Sequence, residues 1–168
     1  MRKTIQKLTA VLVLFGIITG MTACSKENPF KNRSQANITG SDEIKVNMTV
    51  EVVSNRKVTV NIENKSDCSL MYGRPYELEY KYEGEWYEVP VDRIFTAEGI
   101  VIGPYEEDDA GADDLRLSNS SSDDVDLIGG LPEGHYRMIK DITLYEGEID
   151  GEGRDYSIAG EFDLDKAE

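Results

Sequence analysis

Apolar and polar residues alternate along most of the chain between residues 44 and 165, with the period of two that marks strands with one buried face. The first run places apolar residues at every second position: Ile44, Val46, Met48, Val50 and Val52. A polar turn over residues 54–56 separates this run from a second one built on Val58, Val60 and Ile62. We expect the two strands to form an antiparallel hairpin or to lie in facing sheets.

A second hairpin is predicted over residues 76–89. Its first strand has apolar residues at even positions and charged ones at odd positions from Tyr76 to Tyr82, and Glu83-Gly84 can form a two-residue turn. With that turn, the cross-strand pairs are Tyr80 with Tyr87, Leu78 with Val89, and Lys81 with Trp86. Trp86 then lies on the outer face, whereas a one-residue bulge at Gly84 would bring it inward.

The segment 131–140 joins a Pro/Gly turn to a β-rich run whose first large residue is a tyrosine. In β-sandwiches, a tyrosine near the start of a strand can donate its hydroxyl to the backbone a few residues upstream. We therefore predict that Tyr136 is buried and bonded to the backbone near Leu131 or Pro132. Leu131 should cover the ring, Gly134 should permit the turn, and His135 should point to the opposite face by alternation.

The remaining segments complete an all-β prediction. The last run places Tyr156, Ile158, Gly160, Phe162 and Leu164 on one face. Shorter strands are expected near residue 95, at 100–102 and at 115–117, whereas residues 118–124 are expected to form a polar, Ser-rich loop tip. The whole pattern predicts an antiparallel β-sandwich of seven or eight strands.

The N-terminal region has the layout of a secretory signal. Arg2, Lys3 and Lys7 precede an apolar run over residues 8–18 that is too short to span a membrane as a mature helix. The segment Met21-Thr22-Ala23-Cys24 resembles a bacterial lipobox. That resemblance implies cleavage before Cys24, acylation of its thiol and further lipid on the new N-terminus. The alternative is an ordinary secreted protein with a chance cysteine.

These features predict three regions in the chain. Residues 1–23 form a lipoprotein signal peptide, residues 24–42 form the acylated cysteine and a flexible tether, and residues 43–166 form the sandwich. Because each buried CH₂ contributes about 0.8 kcal/mol, two acyl chains can anchor a protein stably. We therefore expect the mature protein on the extracytoplasmic face of a bacterial membrane, held through lipid on Cys24 and without a transmembrane helix.

The charge of the chain excludes one class of partner. There are 18 Lys and Arg residues against 33 Asp and Glu residues, and loss of three basic residues with the signal changes the net charge from −15 to −18. Such a field repels nucleic acid and anionic lipid. Nucleic-acid binding is therefore not expected, and the lipid rather than the protein surface should hold the molecule at the membrane.

Candidate catalytic residues are few. His135 is the one histidine, Cys68 has no cysteine partner once Cys24 is acylated, and no His or Cys pair has the spacing of zinc ligands. The sequence also lacks the Gly-x-Ser-x-Gly nucleophile motif. We predict a protein that is not an enzyme and needs no cofactor; a small extracytoplasmic enzyme using a carboxylate pair is the alternative. Cys68 should be a small buried hydrophobe, or else an exposed thiol.

The acidic segment 106–114 is a candidate metal site. Glu106, Asp108, Asp109, Asp113 and Asp114 could place several hard oxygens around one calcium ion. Their spacing matches neither an EF-hand loop nor a glycine-rich calcium repeat. A solvated acidic loop without metal is therefore the main prediction, and a calcium-dependent structural spacer is the alternative.

Aromatic residues are concentrated on and just before the second hairpin. Core packing accounts for at least half of them. An exposed subset, for which we name Trp86, Tyr82 and Tyr72, would form an aromatic face suited to a protein or glycan partner.

Four segments together resemble the bacterial immunoglobulin-like domain of Gram-positive surface proteins and lipoproteins. They are residues 72–79 (YGRPYELE), 83–90 (EGEWYEVP), 130–140 (GLPEGHYRMIK) and 160–162 (GEF). The resemblance covers roughly residues 44–164 and implies an immunoglobulin-like sandwich at the cell surface, without catalytic residues. It favours a membrane-anchored binding or interaction module and leaves the partner open.

Overall fold

The computed structural model describes residues 27–104, 117–146, 149 and 151–165. The predicted signal peptide and Cys24 lie outside these residues. The described part contains one short helix and nine strands, one or two more strands than the pattern predicts. The elements are α1 (Ser41–Ile44), β1 (Val46–Ser54), β2 (Lys57–Asn64), β3 (Ser69–Gly73), β4 (Glu77–Tyr82), β5 (Glu85–Val89), β6 (Gly99–Ile102), β7 (Ser120–Asp126), β8 (Gly134–Tyr145) and β9 (Gly153–Leu164).

Two antiparallel sheets form the predicted sandwich. One sheet has three strands in the order β1-β2-β7; the other has six and is built around β8. Because β8 is 12 residues long, two shorter strands pair end to end along one of its edges, β4 with Tyr136–Ile139 and β3 with Ile142–Tyr145. Strand β9 pairs with β8 along the other edge. Strand β8, which begins at the predicted tyrosine corner, is therefore the central strand of the larger sheet.

Alternation places one face of each long strand in the core between the sheets. Strand β2 buries every second residue, and the same pattern buries Ile158, Phe162 and Leu164 of β9. Gly160 lies among them because β1 passes very close. A Cβ atom at this position would lie 2.8 Å from a methyl carbon of Val50. Strands β1 and β2 form an antiparallel hairpin with its turn at residues 55–56. They therefore do not lie in facing sheets, which was the alternative prediction.

Strand β7 corrects the prediction of a polar loop tip at residues 118–124. It pairs in register with β2 from Ser120–Glu63 to Asp126–Lys57. Its inward positions include Ser121 and Asp123, both of which bond to the hydroxyl of Tyr72. The strand was missed because its buried face is polar and satisfied by hydrogen bonds instead of apolar contacts.

The predicted tether also differs from the structure in the part that the structure describes. Residues 28–39, here called the strap, lie against the sandwich. Ser34 N–H donates to the Trp86 carbonyl at 2.9 Å, and Glu88 N–H donates to the Asn32 carbonyl at 2.8 Å, which adds a short antiparallel bridge to the edge of β5. Further along, Thr39 N–H donates to the Ser157 carbonyl of β9 at 2.8 Å. The strap is thus bound to two edge strands of the larger sheet, β5 and β9.

The attachments of the strap have an apolar component. Phe30 packs edge-on against Tyr80 with 5.4 Å between ring centroids. Ala36 and Ile38 are half-buried, whereas Gln35 and Asn37 between them are exposed. Ile139 of β8 points away from the core by alternation and is nevertheless only 3% exposed. A few apolar residues in a polar segment are enough to bind it to the domain.

No helix among the described residues has both the length and the apolar character needed to cross a bilayer.

Candidate functional site

The hairpin of β4 and β5 has the register predicted from its two-residue turn. Lys81 pairs with Trp86, Tyr80 with Tyr87, and Leu78 with Val89. Glu83 and Gly84 have φ angles of 49° and 87°, the positive values that a type I′ turn requires. No bulge shifts the pairing, so Trp86 projects from the outer face of the larger sheet.

Cationic side chains surround Trp86 on that outer face. The Arg137 guanidinium carbon lies 4.4 Å from the ring centroid, and the Lys81 Nζ lies 5.0 Å from it. The His135 ring follows at 5.7 Å between centroids. Cations at these distances are attracted by the ring's quadrupole. The Trp86 cluster, defined as Trp86, Lys81, Arg137, His135 and Glu79, is therefore a half-exposed cationic and aromatic surface on a strongly acidic protein.

A buried ion pair holds Arg137 in this cluster. Its Nε donates to Glu79 Oε2, and the side chains of Glu79 and Arg137 are only 1% and 13% exposed. Glu79 and Arg137 are direct neighbours across β4 and β8. Buried charges are stable only when they are paired and hydrogen-bonded, so each of these groups requires the other.

His135 has two carboxylate partners on β9. Its Nε2 lies 2.6 Å from Glu161 Oε2 and its Nδ1 lies 2.8 Å from Asp163 Oδ1. The bonds to Glu161 and then Asp163 raise the pKa of His135 above its usual value, because both favour the protonated ring. The stabilisation is present at low pH and weakens as the pH rises through that raised pKa. The residue lies on the face opposite Tyr136, as predicted.

Tyr72 and Tyr82 do not share the outer face with Trp86. Tyr72 is only 4% exposed, and its hydroxyl lies 2.7 Å from both Ser121 Oγ and Asp123 Oδ2 across the sandwich. Burial raises the pKa of this phenol to about 12. Tyr82 is half-buried on the core side, edge-on to Tyr87. The predicted aromatic face of three residues therefore reduces to Trp86, because alternation turns Tyr72 and Tyr82 inward.

Tyr136 forms the bond that its position after the Pro/Gly turn predicts. The residue is fully buried, and its hydroxyl donates to the Pro132 carbonyl at 2.6 Å. Leu131 is partly buried against the core. Gly134 has a φ of 153°, and a Cβ atom there would lie 2.4 Å from the Tyr80 ring. Only glycine fits where the turn passes this ring.

Lys140 is a buried charged residue that is not among the predicted site residues. Its Nζ donates to the carbonyls of Gly73, Arg74 and Pro75 at 3.0–3.3 Å, at the break where β3 ends and β4 begins. Burial lowers the pKa of Lys140 to about 8. Alternation along β8 places position 140 on the inward face. A charged residue at an inward position is the feature of the sequence from which a buried charge could be predicted.

The described residues offer little support for a catalytic or metal site. Cys68 is half-buried beside Asp67, and burial raises the pKa of its thiol, which disfavours the nucleophilic thiolate. Within the described ranges, no group of three His, Cys, Asp or Glu residues is placed to hold a metal ion. The calcium candidates Glu106, Asp108, Asp109, Asp113 and Asp114 lie outside those ranges, as does the predicted strand at 115–117.

The fold is an antiparallel sandwich with a buried tyrosine corner, the architecture of immunoglobulin-like domains. The chain belongs to the family described as bacterial Ig-like domain, whose family model matches residues 40–163. Domains of this family are typically non-catalytic structural modules, and membership indicates an extracytoplasmic location. Neither the curated proteins nor the solved structures contain a match to the chain.

Proposed function

We propose that the protein is a lipoprotein attached through acylated Cys24 to the outer side of a bacterial membrane, where its Ig-like domain binds a protein or glycan partner. The family supports the location, and the lipobox-like segment 21–24 supports the anchor. The excess of acidic residues supports a lipid attachment, because a mature chain of net charge −18 gains little from an anionic membrane surface.

The Trp86 cluster is the observation that carries the binding role. A tryptophan on the outside of a sheet is not needed by the core, yet the ring is held in place by Arg137 and Lys81. Tryptophan and arginine are enriched among residues that dominate binding energy, and side chains that are fixed before binding lose little entropy on association. The cluster is therefore a rigid, partly exposed anchor for a partner.

Chemical cross-linking on intact cells tests this role with Trp86→Ala. Because truncating a binding hot spot costs about 2 kcal/mol or more, we expect the yield of cross-linked partner to fall by at least about tenfold. Thr49→Ala, an exposed change on the outer face of the other sheet, is the matched control and should retain the wild-type yield. Thermal melts should show that both variants remain folded. Recovery of the same partners in the same amounts from Trp86→Ala cells would refute the binding role of this face.

A further inference from the structure

The anchor and the domain are separated by very little chain. Phe30 is six residues after Cys24 and already packs against Tyr80 of the sandwich. Six residues span at most roughly 20 Å even when fully extended. A 12-residue strand such as β8 is about 40 Å long by comparison. An acyl group on Cys24 would therefore hold one particular end of the sandwich at the membrane.

Ring contacts identify that end. Phe30 packs on Tyr80, whose ring centroid lies 5.2 Å from that of Tyr136. The same Tyr80 ring occupies the space beside Gly134, the first residue of β8. Phe30 is thus at the end of the sandwich that carries the tyrosine corner, here called the corner end. The opposite end carries Cys68 and the start of β9.

The tip of the β1–β2 hairpin lies at the corner end as well. Strand β1 starts next to Ile44, which lines a surface pocket with Cys68, Leu144 and Tyr156 at the opposite end. It then passes Gly160 at Val50 and continues in the direction of Phe162 and Leu164.

Two adjacent apolar side chains are exposed near this tip. Val52 is 43% exposed and Val53 is 60% exposed, and the turn at residues 55–56 follows directly. Val52 pairs with the fully buried Val58 and lies at the rim of the core face, whereas Val53 falls at the irregularity between Val52 and Ser54 and has no pairing partner on β2. Exposed valine side chains on the side of a domain closest to a bilayer can bury their apolar surface against the lipid.

We infer that the corner end of the sandwich faces the membrane, with Val52 and Val53 against the lipid surface. The inference rests on the proposed acylation of Cys24. It places the loop of Asp67 and Cys68 farthest from the bilayer, where a partner outside the cell would meet the domain first. The Trp86 cluster lies near the same end, because Trp86 pairs with Lys81 beside the 83–84 turn and its ring is 5.7 Å from that of His135, the second residue of β8. In this orientation the cluster is on the membrane-proximal part of the outer face of the larger sheet.

Quenching by spin-labelled lipid headgroups tests this orientation in the acylated full chain. The protein would be purified from membranes and reconstituted into phosphatidylcholine vesicles that contain nitroxide-labelled lipid. A fluorophore would be attached in a Cys68→Ser background to either Val53→Cys or Asp67→Cys, two exposed positions at opposite ends. Because nitroxides quench only over short distances, we expect several-fold stronger quenching at position 53 than at position 67.

Flotation of the vesicles separates the two possible failures. Equal quenching at both positions, or stronger quenching at position 67, in protein that floats with the vesicles would overturn the orientation and leave the anchor intact. Protein that carries no acyl chain and does not float would overturn the anchor and the orientation together.

Discussion

Tyr136→Ala is expected to lower the free energy of unfolding by about 3–5 kcal/mol, the usual cost of removing a large buried aromatic side chain. The ring is fully buried at the start of the central strand and stacks on Phe162 with 5.8 Å between centroids. Its loss leaves a cavity between Tyr80 and Phe162. A small domain has only about 5–15 kcal/mol of stability, so this change removes a large part of it.

Two further variants separate the contribution of the Tyr136 hydroxyl from that of the ring and from that of the neighbouring outward residue. Tyr136→Phe keeps the ring and removes only the bond to the Pro132 carbonyl, which should cost about 1–3 kcal/mol because a part-buried acceptor loses its donor. His135→Ala, the neighbouring change on the outer face, removes two exposed carboxylate contacts and should cost at most about 1 kcal/mol. Urea unfolding of the mature chain with Cys24→Ser measures all three. A larger loss for His135→Ala than for Tyr136→Ala would contradict the corner.

Arg137→Met is expected to cost about 3–5 kcal/mol, since it leaves the Glu79 carboxylate buried without its partner. The double variant Glu79→Leu, Arg137→Met removes both charges and should be close to the wild type in stability, because well-packed apolar residues can replace a buried ion pair at little cost. The two changes should therefore be strongly non-additive.

A double-mutant cycle from urea unfolding at pH 7 checks this expectation. Lys81→Met is the matched control, because Lys81 also lies over Trp86 but is exposed to solvent. It should change stability by less than about 0.5 kcal/mol. If the double variant is as unstable as the sum of the two single changes, the pair contributes through packing and not through mutual neutralisation.

Alternation predicted the parts of the fold in which one face of a strand is apolar. It identified β1, β2, β4 and β9, and the length of the Glu83-Gly84 turn fixed the register that places Trp86 outside. Alternation did not predict strand β7, because its inward residues Ser121 and Asp123 are polar and form hydrogen bonds with the Tyr72 hydroxyl. Hydrophobic periodicity cannot detect a buried face that is polar.

The strap and the buried charges depend on contacts between segments far apart in the sequence. Phe30 is one aromatic residue in a polar stretch, and its partner Tyr80 is 50 positions later. Lys140 stands at an inward position of β8, but its acceptors are carbonyls at the break between β3 and β4. The break itself results from two short strands sharing one edge of β8. Local pattern therefore predicts where such a residue points but not what it contacts.

The proposed function depends most directly on the acylation of Cys24. Metabolic labelling of cells with an alkyne fatty acid measures it, with Cys24→Ala as the test variant and Cys68→Ala as the matched cysteine control. The account predicts label in the wild type and in Cys68→Ala, and an unlabelled, uncleaved precursor in Cys24→Ala. Equal label in Cys24→Ala and the wild type would contradict the lipid anchor, and with it the placement of the domain at the membrane.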